Sequence, residues 1–512
     1  MTHSRPTTSI AEVLPWRARI HPDKPALIVG DRSFSYVDLD TLSNRVAAGM
    51  RSSGVRPGEV VSLFGQNSWQ WIVAYHGILK AGAVVNPVNV MLTGSELRYV
   101  LQDCGARALF IGATEYERVA GELEGLPLLA CVTLDAEFDT LLDGADPGSV
   151  PPVDCRPKAL GSIGYTSGTT GHPKGAMQSL ESVLLNCAHT AAMHGKNADD
   201  VILSALPAAH VYGNVAINGT FLAGGTVVLM ERFDPVAALH LMQLHRVTVF
   251  EGVPAMYSML LATDDLSAVD LSAIRVSTVG GQTFSPLIIE KWEKRTGAPL
   301  LELWGMTELS GLGTTHSVYG PPCPGSIGVS LPGTEISLAP MDGQSGEVSA
   351  GEPGELMIRG PLVMLGYFGN PAGTAEVLGA DGWLRTGDVA YLDQSGHAFI
   401  VDRLKDMIIT AGYNVYPAEI ERVVATHPDV AMVAVGRRPD PIKGEIAVAY
   451  IVPRRDARPD VADILQFCSE RLAAYKRPRD VVLVDHLPTT SSGKLLRRKL
   501  DELGPHAPAQ VG

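Results

Sequence analysis

Two hydrophobic periods alternate between residues 59 and 254, and that alternation leaves few folds open. "EVVSLFG" (59–65) is a short, almost continuous apolar run of the kind buried in a parallel sheet. "SWQWIVAYHGILKAG" (68–82) repeats its apolar residues at helical spacing and closes on Gly82. "AVVNPVN" (83–89) returns to the strand type, "GSELRYVLQDCG" (94–105) to the helix type and "RALFIG" (107–112) to the strand type. The pattern resumes after residue 200, where "DVILSALP", "GGTVVLME" and "VTVFEGVP" read as strands and "DPVAALHLMQLH" (234–245) as a helix between them. Strand–helix repetition of this kind predicts right-handed crossover units and largely parallel sheets.

The texture changes after about Ser317. "GTEISLAP", "GELMIRG" and "GHAFIVD" are short strands parted by Gly, Pro and Asp turns, which predicts an antiparallel barrel or sheet. It changes again at Arg403. "PAEIERVVATH" (417–427) places Ile420, Val423, Val424 and His427 on one helical face behind Pro417. Strands "VAMVAVG" and "EIAVAYIV" follow, then a helix over 461–473 with Asp460 as its N-cap, then the strand "DVVLVD". A chain of 512 residues exceeds one hydrophobic core, so two domains are expected, 1–402 and 403–512.

Composition removes several classes of function. With 41 basic and 55 acidic side chains and a net charge of -14, the chain lacks the basic face that nucleic-acid backbones require. Six cysteines without a C-x-x-C pair fit neither a zinc site nor a disulfide framework, which predicts a reducing compartment. The amino terminus has no signal-peptide core, and no apolar run reaches the length of a membrane span. The expectation is a soluble cytoplasmic protein, monomer or homodimer, with small-molecule partners and no stable membrane insertion.

"YTSGTTGHPKG" (165–175) packs three glycines, four Ser and Thr hydroxyls, a proline and a lysine into a stretch with little apolar content. A P-loop needs G-x-x-x-x-G-K-[ST]. Counted from Gly168, Pro173 stands at the second glycine and Gly175 at the Ser/Thr, although Lys174 is in place. Close backbone approach, hydroxyl donors and one ammonium still predict an anion ligand.

Further stretches complete a pattern: "LPAAHVYG", "LWGMTEL" (303–309), "TGD" ending at Asp388, "DRLKD", "GYNVYPAEIE" and "PTTSSGK" ending at Lys494. Seven motifs in this order resemble the adenylate-forming superfamily of acyl-CoA synthetases, stand-alone adenylation domains and firefly-type luciferases. The resemblance implies an α/β fold. A large amino-terminal domain has two β/α layered sheets and a β-barrel, and a small mobile α+β carboxyl-terminal domain follows. It implies ATP, Mg2+ and coenzyme A as cofactors and co-substrate, with a carboxylic acid activated as acyl-AMP.

By the same resemblance, Thr166, Ser167, Gly168, Thr169, Thr170 and Lys174 hold the β- and γ-phosphates, and Thr307 the α-phosphate. Glu308 is the magnesium ligand, Trp304 stacks on adenine, and Asp388 and Arg403 bind the ribose. Lys494 binds the attacking carboxylate and the α-phosphate, and His210 lines the thiol's approach. Lys405 is the hinge whose rotation exchanges Lys494 for the Gly412 loop. Tyr212, Asn214, Gly280, Gly281, Gln282 and Met306 are the acyl-pocket candidates. Small residues and the lack of an arginine among them favour a fatty-type aliphatic acid of medium length. Aryl or cinnamate-type acids, a carrier protein as acceptor and a catalytically inactive nucleotide-binding regulator are the alternatives. Arg497, Arg498 and Lys499 read as a solvated basic helix.

Overall fold

The computed structural model describes residues 9–146, 156–166, 173–281, 286–341, 346, 348–411, 413–454, 457–488, 495 and 497–503. The chain forms two compact units, Met1–Ile336 with Ile358–Leu384, and Ser337–Met357 with Arg385–Gly512.

The first unit holds two sheets. The six-stranded one runs Ala130–Thr133, Ala108–Ile111, Val60–Phe64, Val84–Val88, Leu160–Thr166, Lys174–Ser179, parallel except for the last hairpin. All five residues of Val60–Phe64 are buried, which is why that strand reads as continuous rather than alternating. The helices between strands start where the sequence supplies caps. Ser68 accepts from the Trp71 amide, and Thr93 and Glu96 form a reciprocal capping box.

The nine-stranded sheet has a parallel centre of Leu300–Met306, Val276–Gly280, Val249–Gly252, Val201–Ser204, Thr226–Leu229 and Pro25–Val29. Antiparallel strands close both edges. One continuous core joins the sheets. It contains Val61, Val85 and Phe110 of the first, Leu27, Ile202 and Val228 of the second, and Val46, Trp71 and Ile78 from helices.

The region expected as a barrel is a four-stranded sheet, Glu335–Ala339, Gly354–Arg359, Leu384–Leu392, Ala398–Arg403 in that order, and it does not close among the described residues. Three or four short strands are too few to bring the two edges together. The remainder of the second unit is α+β. Ile408–Thr410, Gly444–Pro453 and Val430–Asp440 form its sheet with Asp480–Leu483 added in parallel. Helices Pro417–Val424 and Val461–Arg471 bury Ile420, Val424, Ile464 and Cys468 with Val435 and Ile451. Asp460 caps the second helix, as its spacing predicted.

Candidate active site

Thr166 and Lys174 end the two strands of one hairpin and stand opposite each other in register. They frame the mouth of the loop. Ser167, Gly168, Thr169 and Thr170 lie outside the described residues.

The same segment carries the supports of Thr307 and Glu308. These two open a single 3-10 turn, Thr307–Leu309, after the strand Leu300–Met306. A Cβ on Gly164 would lie 2.5 Å from Thr307 Cγ2, so only glycine lets the hairpin approach this closely. Gln178 Nε2 donates to the Thr307 carbonyl at 2.8 Å. Asn186, fully buried on the helix Leu180–Met193, donates to the Leu309 and Leu312 carbonyls at 3.0 and 2.8 Å and accepts from the Leu312 amide at 3.1 Å. Ser310 takes a left-handed backbone at φ 59 and anchors its hydroxyl on Ser182. That conformation costs a non-glycine residue on the order of 1 kcal/mol, so the surroundings must hold it. Sequence reasoning missed Gln178, Asn186 and Ser182. The available signal was polar residues at inward positions of "AMQSLESVLLNCAHT".

Glu308 is buried, and its Oε1 accepts from the Tyr367 hydroxyl at 2.9 Å. Burial, and then the Glu308 charge, raise the Tyr367 pKa, so the phenol stays a donor. Lys174 Nζ lies 5.3 Å from the Tyr367 ring centroid and 3.7 Å from Glu376. One buried carboxylate, held by a tyrosine whose ring also meets a lysine, suits a magnesium ion. That ion keeps several waters and takes one or two protein oxygens alongside phosphate.

Trp304 and Met306 are half-buried on the strand leading to this turn. A Cβ on Gly313 would lie 2.5 Å from Trp304 Cζ3, so the indole rests against that glycine. Glu302, two residues earlier, is pushed up to about 7 by burial, although the Gly325 amide donates to it. His210 is the N-cap of the helix Val211–Ala223, its Nδ1 accepting from the Tyr212 amide at 3.3 Å. Tyr212 Oη pairs with Thr278 Oγ1 at 2.7 Å on the strand that ends at Gly280. Asn214 Oδ1 accepts from Tyr75 and Asn218 at 3.3 and 3.2 Å. A Cβ on Gly280 would lie 2.2 Å from Leu303 Cδ1, and Gly281 has φ +94. Gln282 lies outside the described residues.

In the second unit, Asp388 and Arg403 are paired across neighbouring strands, with Arg403 Nε 2.9 Å from the buried Asp388 Oδ1. Lys405 sits in the 3-10 turn Leu404–Asp406. Asp402, just before it, accepts from the Arg403 and Ala418 amides and is pushed up to about 6 by burial. Arg497 corrects the solvated-helix expectation. It is mostly buried, donates with both terminal nitrogens to the two Glu421 oxygens and with one to the Val435 carbonyl, and lies 3.5 Å from Asp406. Leu500, three residues on, is fully buried in the same unit, so the element packs through Arg497 and Leu500, while Lys499 is exposed as expected. Lys494 and Gly412 lie outside the described residues.

Comparison with known proteins fits this arrangement. The AMP-binding enzyme family matches residues 14–368 and the AMP-binding enzyme C-terminal domain residues 419–494. A feruloyl-CoA synthase of an Amycolatopsis species is 38% identical over 486 residues, covering 94% of this chain and 96% of its own. A long-chain-fatty-acid–CoA ligase of Bacillus subtilis is 32% identical over 534 residues, covering 97% and 95%. The crystal structure of ATP-bound MatB from Rhodopseudomonas palustris superposes with a TM-score of 0.89 at 30% identity, covering 96% of this chain and 98% of that one. The chain belongs to the adenylate-forming superfamily of AMP-binding enzymes, within its acyl-CoA synthetases. Its activity class is therefore that of an AMP-forming acid–thiol ligase. No helix among the described residues is long and apolar enough to cross a membrane.

Proposed function

We propose that the protein activates a fatty-type aliphatic carboxylic acid of medium length and passes it to coenzyme A. The acid's carboxylate attacks the α-phosphorus of ATP, the Pα–O–Pβ bond breaks, and pyrophosphate leaves an acyl-adenylate. The thiolate sulfur then adds to the acyl carbon and AMP departs, which leaves the thioester.

The chain's own residues take these parts. Thr166 and Lys174, with Ser167, Gly168, Thr169 and Thr170, cradle the β- and γ-phosphates, and Thr307 bonds the α-phosphate. Glu308 holds the magnesium ion, which when bound offsets phosphate charge. Lys494 neutralises the carboxylate and α-phosphate oxygens as they meet. Asp388 and Arg403 take the ribose, and Trp304 the adenine. Lys405 is the hinge between residues 1–402 and 403–512, with the Gly412 loop serving the thioester step and His210 the thiol's approach.

The observation that carries the acid class is the bonding state of the pocket candidates. Tyr212 Oη is already bonded to Thr278, and Asn214 Oδ1 to Tyr75 and Asn218. Gly280, Gly281 and Met306 bring no charge. Among the described candidates the side-chain oxygens are thus already bonded within the protein, which favours an uncharged acyl body. The 38% identity to a feruloyl-CoA synthase favours a second reading, an aryl-propenoic acid, whose acyl body is likewise uncharged.

Pyrophosphate–ATP exchange, followed by AMP release on adding coenzyme A, tests both readings. The panel is straight-chain acids of increasing length, ferulate, indoleacetate and malonate. Highest kcat/KM for a medium-chain acid supports the first reading, and for ferulate the second. A preference for malonate contradicts both. Exchange without thioester formation points to a carrier-protein acceptor.

A further inference from the structure

We propose that Tyr367 is a positioning residue that ties the Glu308 carboxylate to the lysine side of the phosphate loop, so that one side chain sets both the cation ligand and the ammonium. This inference rests on the reading of Glu308 as the magnesium ligand.

The tie is built at three levels. In sequence, "MLGYF" (364–368) is a short run with glycine at its centre. In backbone, the run is added beside the strand that begins at Lys174. The Phe368 amide donates to the Gly175 carbonyl at 2.7 Å, the Met177 amide to Gly366 at 2.9 Å, and the Leu365 amide to Met177 at 2.8 Å. The Met364 amide donates to the carbonyl of Glu308 itself at 2.8 Å. A segment of five residues thus grips the lysine strand and the glutamate turn at once.

In side chains, the Tyr367 hydroxyl fixes Glu308 Oε1 at 2.9 Å and the ring face meets the Lys174 ammonium at 5.3 Å. The ring is buried at 9% exposure and packs with Ala176, Leu309 and Met364, so it cannot swing away from either partner. A carboxylate held through one oxygen has its rotation fixed, which directs the other oxygen. An ammonium over a ring face is held electrostatically without giving a hydrogen to the ring, and its other contact, Glu376 at 3.7 Å, is exposed and beyond hydrogen-bond distance, so its hydrogens can turn to phosphate oxygens. Phosphate-loop lysine and cation ligand then move together or not at all.

Two substitutions separate the two halves of this role. Tyr367→Phe removes the hydroxyl and keeps the ring and the backbone pairing. Tyr367→Leu removes both. Binding of Mn2+ to enzyme with ATP and no acid is titrated by electron paramagnetic resonance, and ATP binding without metal by calorimetry. Tyr367→Phe weakens Mn2+ by about tenfold and leaves metal-free ATP binding unchanged, while Tyr367→Leu weakens both. In pyrophosphate exchange, Tyr367→Phe raises the Mg2+ concentration for half-maximal rate and leaves the KM of the acid unmoved, a split that general loosening of the fold would not give. Glu308→Gln is the control. Unchanged Mn2+ affinity in Tyr367→Phe, with a loss in Glu308→Gln, overturns the role of Tyr367. Unchanged affinity in Glu308→Gln overturns the reading of Glu308 and the inference with it.

Discussion

Two short 3-10 turns carry key residues of this enzyme, and they are braced by opposite chemistry. Thr307–Leu309 is held by the neutral side chains of Gln178, Asn186 and Ser182 reaching from one hairpin and helix. Leu404–Asp406 is flanked by charge: Asp402 on one side and Asp406 paired with Arg497, which also grips Glu421. Buried amides give short, directional bonds that water cannot replace, so the first turn has one geometry. The ion pairs at the second turn keep about a fifth of their side-chain surface exposed, so water reaches them as it does not reach a fully enclosed pair, and they can break and re-form. The first arrangement suits a place where charge develops, the second a place where the chain rotates.

Asn186→Ala is the largest blow to the first turn. It strands two carbonyls and one amide in the core and leaves a hole. Urea unfolding should show a loss of about 2–4 kcal/mol. A loss below about 1 kcal/mol would mean the neutral brace is not what holds Glu308.

Arg497→Met probes the second turn. The guanidinium is mostly buried, so the expected cost is about 1–3 kcal/mol, smaller than for a fully enclosed pair. Thermal unfolding of the wild type should fall with added salt more steeply than that of the variant. Identical salt slopes would remove the electrostatic half of the comparison.

Two buried groups, one in each unit, carry opposite signs. His76, in the first unit, has its pKa lowered to about 3, chiefly by burial and then by Lys80. The unfolded imidazole takes up a proton near its ordinary 6.5, so this contribution to stability is complete above that pH and is lost as pH falls toward 3. Asp402, in the second unit, is raised to about 6, so its contribution is present below its ordinary value and is lost as pH rises through 6. His76→Leu should therefore narrow the drop in melting temperature between pH 7 and pH 5, and Asp402→Asn should widen it. Shifts of the same sign in both variants would break the contrast.

The smallest effect concerns Lys174, which shares its charge with the exposed Glu376 at 3.7 Å. Glu376→Gln should lower the KM for ATP by no more than about twofold, because so exposed a partner is well screened. A larger change would mean that the ion pair gates the loop.

How much of this was legible in the sequence depends on the reach of each interaction. The elements from 60 to 111 fall within two residues or so of their expected limits, because strands buried on both faces and capped helices write their period locally. Helix 417–427 stops early, at Val424, with His427 packed against Asp463 outside the helical turns. Asp388 and Arg403 were both singled out, but their pairing needed the strand register. The brace of Thr307 was not legible: Gln178 lies 129 residues away, and no spacing rule connects a strand glutamine to a distant carbonyl. Arg497 misled for the same reason, since a basic run looks solvated until Glu421, 76 residues upstream, is found beside it.

The division between the two turns is tested most directly by timing the half-reactions of Glu308→Gln separately, acyl-adenylate formation by rapid quench and thioester formation from supplied adenylate. Adenylation should fall about 10²-fold or more, with thioester formation within a few-fold of wild type. Equal losses in both steps would contradict a phosphate-side role for Glu308 and the assignment of its turn to the first reaction alone.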